Sequence, residues 1–391
     1  MYIHTGDTGI IYNNWPAMNR YMDYLRNHER SRYLAPDQDT TGYGDWIAFQ
    51  GTGYEVMADY CYGYVVMLMR DMADIICDYD KSEFYGNYFN GLKEMFYRTH
   101  VTYNKNKETK QLTIKLGMGS PVMQDKGGIY EDNSQTVLLW LLKLGYYKND
   151  DIYEEAVKLL VENIKNENPE SSGVRAGYSI NSLSVGFLGV NVIAPVLTEA
   201  GYSSVAYDLL LNTECPSWLY EVKNGATTIW ERWDSYSIKN GFGDSEMNSF
   251  NHFSYGSIAE WMYCYMVGIS AGREGFKHIV LQPVPDTGTQ YNEEERISKV
   301  NAVYESCYGQ IKSCWTAEGG RLVSYKATIP ANTTASIYLP AEGCLVETKV
   351  PSDIIKYIGE TMHNKRKVMH FEAVSDSYEF MVSDLKKLEI I

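Results

Sequence analysis

The chain has 391 residues, enough for two domains that each bury a core. It carries 35 basic and 50 acidic side chains, a net charge of −15 and a pI near 5.0. That balance argues against nucleic acid or an anionic membrane as partner, since both need a basic footprint, and is compatible with a neutral ligand.

Taken in chain order, apolar periodicity predicts helices over about 10–27, 53–79, 82–99, 133–147, 151–166, 186–200, 202–212 and 254–270. The longest places Met57, Cys61, Tyr64, Val65, Leu68, Met72, Ile75 and Ile76 on one stripe, and its Asp59, Arg70 and Asp71 argue against a membrane span. Residues 105–129, with Gly117, Gly119, Gly127 and Gly128, read as a loop-rich stretch, either a lid or a plain surface excursion. The period changes near Gly275. Beyond it, Val323, Tyr325, Ala327 and Ile329, then Ala335, Ile337 and Leu339, alternate in strand fashion around a Pro330-Ala331-Asn332 turn. Residues 311–315 and 379–382 read as further strands, and 292–296 as a solvated loop. The expected organisation is mainly α: a helical domain over 1–275, then a small β-sandwich over 276–391.

The seven cysteines are odd in number and form no Cys-x-x-Cys pair, so buried free thiols and a reducing, cytoplasmic compartment are expected. No signal peptide is read at Met1. There is no His-Glu-x-x-His, no phosphate loop and no dinucleotide fingerprint, and nothing in the sequence calls for a metal or other cofactor.

Chemistry concentrates between 225 and 252. Gly-Ala-Thr-Thr-Ile-Trp-Glu-Arg-Trp-Asp occupies 225–234 and Met-Asn-Ser-Phe-Asn-His follows at 247–252. A β-branched and aromatic run favours an extended chain, with Glu231 and Trp233 on one face and Trp230 and Arg232 on the other. A carboxylate beside an indole suits a pyranose, whose C–H groups stack while the carboxylate reaches a hydroxyl or water. The competing reading makes Glu231 and Arg232 surface charges and the tryptophans core. His252, just before the last predicted helix, is either a sugar contact or a helix cap. Trp46, after Gly44-Asp45, is either a sugar platform or a plug under its loop.

These segments, with Tyr255-Gly256-Ser257-Ile258-Ala259-Glu260-Trp261, resemble the bacterial α-L-rhamnosidases of glycoside hydrolase family 78. His4-Thr5-Gly6-Asp7-Thr8, Asn14-Trp15-Pro16-Ala17-Met18, Tyr43-Gly44-Asp45-Trp46, Val185-Gly186-Phe187-Leu188-Gly189 and Glu199-Ala200-Gly201-Tyr202 extend the likeness, as does Ile329-Pro330-Ala331-Asn332-Thr333-Thr334-Ala335 in the β-domain. The resemblance implies an (α/α)6 toroid of six helical hairpins and inverting hydrolysis of terminal α-L-rhamnose. It implies Glu231 as general base and His252 and Trp46 as sugar contacts, with Asp45, Trp230 and Trp233 as weaker substrate-binding candidates. The family's Arg-Asp-Glu-Arg motif, which carries the general acid, does not occur here. Glu131, Asp132 and Asp234 are carboxylates of the right type only. With about eight of twelve helices predicted, the chain is expected to be an N-terminally truncated member. Three functions follow as expectations: a rhamnosidase portion lacking its acid, a hydrolase with a substitute acid, or a non-catalytic rhamnose-binding remnant or interaction module. The oligomeric state is not readable from the sequence.

Overall fold

The computed structural model describes residues 1–36, 44–105, 110–114, 129–130, 133–167, 178–244, 247–288, 296–341, 344–348 and 353–384. Most of the 105–129 and 292–296 stretches, and Glu131 and Asp132, lie outside them. The helices in chain order are α1 (Tyr2–Thr5), α2 (Gly9–Asn27), α3 (Tyr54–Ile75), α4 (Tyr79–His100), α5 (Gln135–Leu144), α6 (Asp150–Lys165), α7 (Val190–Glu199), α8 (Ser203–Leu211), α9 (Trp218–Lys223) and α10 (Ile258–Trp261). By compactness the chain forms two units. One comprises Thr8–Val196 and Asn212–Gly256; the other comprises Met1–Asp7, Leu197–Leu211 and Ser257–Ile391.

Helix boundaries in the first unit follow from capping. The side chains of Asp78, Ser134, Asn149 and Ser217 accept the amides of Lys81, Val137, Ile152 and Tyr220, satisfying donors at the starts of α4, α5, α6 and α9. Gly145 and Asn166 end α5 and α6 in the left-handed region. On α6 the buried set Ile152, Ala156, Val157, Leu160, Val161 and Ile164 keeps the spacing of one helix face.

Helix α3 departs from its expected stripe. Its buried residues are Val56, Met57, Asp59, Tyr60, Tyr62, Gly63, Val66, Met69 and Ala73, whereas Leu68 is exposed. Polar pairing turns the helix. Both Asp59 oxygens accept from Arg30 at 2.8 and 2.7 Å, one also accepts the Ala35 amide at 2.7 Å, and the other meets His100 at 2.8 Å. Gly63 lies beneath Tyr146, where a Cβ would fall 1.8 Å from the phenol oxygen. The helix expected over 186–200 starts late, at Val190, and that expected over 254–270 is three short pieces: a 3-10 turn (Ser254–Ser257), α10 and a π-helical turn (Met262–Val267).

The second unit holds two five-stranded sheets. After small pairs β1–β6 in the first unit (Gln50–Gly51, Val101–Lys105, Lys110–Ile114, Ile129–Tyr130, Tyr236–Ser237, Gly241–Phe242), its strands are β7 (Ile269–Ala271), β8 (His278–Leu281), β9 (Lys299–Ser306), β10 (Gly309–Glu318), β11 (Arg321–Thr328), β12 (Thr334–Leu339), β13 (Cys344–Thr348), β14 (Ile355–His363), β15 (Arg366–Val374) and β16 (Ser377–Asp384). The orders are β13-β16-β11-β10-β9 and β14-β15-β12-β8-β7, antiparallel except for the β12–β8 pair. Phe371 on one sheet meets Phe380 on the other with centroids 5.3 Å apart, the contact of a sandwich core. Ala335, Ile337 and Leu339 are buried as the alternation requires. Val323 falls out of phase because the β10–β11 register shifts opposite Thr316 and Ala317, which leaves Val323 unpaired and buries Leu322 instead. The cysteines also differ from expectation: none is fully buried, and Cys77 and Cys307 are exposed.

Candidate active site

Four segments of the first unit converge. The 44–52 loop is closed by Thr52, whose hydroxyl accepts the Asp45 amide at 2.6 Å. Asp45 is buried, and its oxygens accept from the Gly186 amide at 2.7 Å, the Leu188 amide at 2.6 Å and the Thr136 hydroxyl at 2.5 Å. Burial pushes its carboxyl upward and these bonds oppose the shift. Asp45 therefore ties two loops together and offers no oxygen to a sugar, which corrects its assignment as a substrate contact. The Trp46 carbonyl accepts the Phe187 amide at 3.2 Å, and the Trp46 side chain is half-buried.

Phe187 carries the connection onward. Its ring stacks on His252 at 4.6 Å and 15°, and the imidazole also stacks with Phe253 at 5.1 Å. The Ser254 amide donates to His252 Nδ1 at 3.3 Å, so in the neutral ring the proton sits on Nε2. Nδ1 caps the turn, and Nε2 has no partner among the described residues.

Segments 229–231 and 249–252 lie side by side. The His252 amide donates to the Ile229 carbonyl and the Glu231 amide to the Ser249 carbonyl, each at 2.8 Å, and the Thr228 hydroxyl donates to the Phe250 carbonyl. Glu231 and His252 are thereby brought onto neighbouring segments. Glu231 is half-buried, and its Oε2 accepts the Ser249 amide at 2.7 Å. Oε1 has no partner among the described residues. The expected extended run is instead a loop, since the Ser235 amide and hydroxyl both close back on the Arg232 carbonyl. Arg232 pairs with Asp234 at 3.1 Å and Asp244 at 3.8 Å.

The turn also overturns the shared face of Glu231 and Trp233. Trp233 is fully buried, stacked on Tyr255 at 3.7 Å and 6°, edge-on to Trp218, with its indole N–H donating to the Val185 carbonyl at 3.0 Å. Trp230 is 4 % exposed against Phe250 and Tyr236. Neither indole has an open face for a sugar. They are the floor on which the Glu231 loop rests.

Sequence reasoning missed Glu221. This α9 residue is 2 % exposed, its Oε2 accepts the Trp230 amide at 3.3 Å, and burial pushes its carboxyl up to about 8. The only signal available was its place ten residues before Glu231, which reads as an ordinary helix-surface charge.

Comparison with known proteins gives the lineage. Residues 1–266 match the bacterial alpha-L-rhamnosidase 6 hairpin glycosidase domain, and 268–350 match the bacterial alpha-L-rhamnosidase C-terminal domain. An alpha-L-rhamnosidase of Streptomyces avermitilis is 29 % identical over 343 residues, covering 88 % of this chain and 28 % of that protein. One from Formosa agariphila is 26 % identical over 351 residues, covering 88 % and 33 %. The chain thus spans about a third of the length of these curated relatives. The crystal structure of the Streptomyces avermitilis alpha-L-rhamnosidase complexed with L-rhamnose superposes with a TM-score of 0.73 at 27 % identity, over 97 % of this chain and 31 % of that one. The alpha-L-rhamnosidase from Dictyoglumus thermophilum shares the fold, with a TM-score of 0.73 at 20 % identity over 98 % and 38 %. With its six-hairpin glycosidase match over more than half its length and the C-terminal β-domain behind it, this chain belongs to the bacterial alpha-L-rhamnosidase family.

Proposed function

We propose that the chain carries the base side of an inverting glycosidase site for terminal α-L-rhamnose, with Glu231 as general base and His252 and Trp46 as sugar contacts. The observation that supports it best is that Glu231 and His252, each with a side-chain polar atom (Oε1 and Nε2) that has no partner among the described residues, stand on segments joined by paired backbone bonds. One oxygen of Glu231 is fixed by an amide, which orients the other to take a proton from water. In an inverting mechanism that water attacks the anomeric carbon while a second carboxyl group protonates the leaving oxygen. The Arg-Asp-Glu-Arg motif that the family uses for the acid does not occur in this sequence, and Asp234 already engages Arg232. The base half is therefore what this chain supplies.

The same missing motif supports a second reading, binding of rhamnose without turnover. An activated aryl glycoside separates the two because its leaving group needs little protonation. Wild-type chain is expected to release nitrophenol from nitrophenyl α-L-rhamnoside, and Glu231→Gln to lower the rate by about 10²-fold or more. Binding of rhamnose by calorimetry with no release by either protein would favour the second reading. The division at Gly275 into a helical catalytic segment and a β-sandwich, and a reducing cytoplasmic location, belong to the same proposal. They rest on the change in periodicity and on the absence of any Cys-x-x-Cys pairing. No helix of the described residues is long and apolar enough to cross a membrane.

A further inference from the structure

Glu221 is a buried carboxyl with almost nothing to hold its charge. Oε2 takes one long hydrogen bond from the Trp230 amide, and Oε1 is buried with no partner. No lysine, arginine or histidine pairs with it among the described residues. The titratable groups around it are the Cys215 thiol, the Tyr255 phenol, whose hydroxyl is also buried without a partner, and, further out, Glu214 and the Asp234–Arg232 pair. The Trp230 amide favours the ionised form, but burial outweighs it, so a carboxylate in such surroundings is costly and the neutral acid is cheaper. Because Trp230 directly precedes Glu231, the amide that Glu221 holds lies one peptide before the candidate base.

We propose that Glu221 is a protonation-controlled positioning residue: as the neutral acid it seats the Trp230 peptide under Glu231, and as the carboxylate it forces that segment to shift or admit water. The latch is a property of the fold; only its effect on turnover rests on the reading of Glu231 as base.

The ordinary carboxyl value is 4.5 and the folded one about 8, so the latch contributes most to stability below 4.5 and loses that contribution as pH rises through 8. Neighbouring groups leave the window clear, since burial pushes Cys215 up to about 12 and Tyr255 well above its usual range. The test compares wild type with Glu221→Gln and Glu221→Met, two uncharged replacements. In the native protein, tryptophan fluorescence of wild type is expected to change with a midpoint near pH 8 and that of the variants to stay flat. The melting temperature of wild type should fall relative to Glu221→Gln between about pH 4.5 and 8, with a constant difference above. With nitrophenyl α-L-rhamnoside, kcat of wild type should drop severalfold above pH 8 with KM unchanged, while Glu221→Gln keeps its rate. Wild-type fluorescence without a transition between pH 7 and 9, or melting profiles shared with a folded variant, would overturn the latch. A fluorescence and melting transition of the expected form in a chain that turns over no rhamnoside supports the latch and counts against the base assignment alone.

Discussion

Asp45 and Glu231 are both acidic residues beside tryptophan, and only their partners separate a structural role from a chemical one. Asp45 accepts from Thr136, Gly186 and Leu188 inside the protein. Glu231 accepts one amide and presents its other oxygen to solvent. Removing them should therefore have opposite signatures. Asp45→Ala strands three donors in a buried setting, each worth roughly 1–3 kcal/mol, so a loss of about 3 kcal/mol or more is expected in urea unfolding. Substitution at His252, whose Nε2 has no hydrogen-bond partner among the described residues, is the contrast. His252→Ala should weaken rhamnose binding measured by calorimetry while costing about 1–2 kcal/mol of stability, the loss of one capping bond and of the stack on Phe187. A large stability loss at His252 with unchanged binding would reverse its assignment to a cap alone.

At the level of elements, the site depends on two loops approaching more closely than side chains allow. A Cβ on Gly186 would lie 2.0 Å from the Trp46 carbonyl oxygen and 2.7 Å from the Ala48 nitrogen, both of them backbone atoms. Gly186→Ala must push the loops apart, at an expected cost of about 2 kcal/mol or more in thermal unfolding. Gly256→Ala is the control, because its Cβ would meet only Ile229 at 3.5 Å, an ordinary contact. Equal melting temperatures for the two variants would mean the loops give way without penalty. Such close approaches mark where sequence patterns stop informing. Seven of the eight predicted helices, and the strand segments read at 311–315, 323–329, 335–339 and 379–382, were legible because apolar spacing follows the geometry of each element. The buried face of α3 was not, since hydrophobicity favours Leu68 and Val65 while Arg30 and His100 draw Asp59 inward. The extended reading of 227–233 failed for a similar reason. Strand propensity there yields to Ser235 closing a turn on Arg232, and to a bed of Trp218, Trp233 and Tyr255 assembled from distant segments. Glu231, His252 and Trp46 were proposed from a motif; Glu221 was invisible because burial is a property of the assembled loops.

Across the whole chain, charge bears on which sugar the site would accept. The net charge is −15, and Arg232, the guanidinium next to the base in sequence, is taken by Asp234 and Asp244. Among the described residues, no cation pairs with Glu231 and Arg232 is not left over to receive a carboxylate. A neutral deoxysugar enters such a site without electrostatic cost, whereas a uronic acid of similar shape is repelled by both the local carboxylates and the overall charge. The difference should be readable in salt. Added electrolyte shortens the screening length from roughly 20 Å at low ionic strength to below 10 Å, which relieves repulsion of an anion and leaves a neutral ligand untouched. Calorimetric affinity for L-rhamnose is expected to vary less than about twofold between roughly 20 and 300 mM sodium chloride, while any binding of a uronate strengthens over that range. A rhamnose affinity that collapses with salt would mean that a charged group dominates recognition, and would move the sugar site away from the Glu231 and His252 segments.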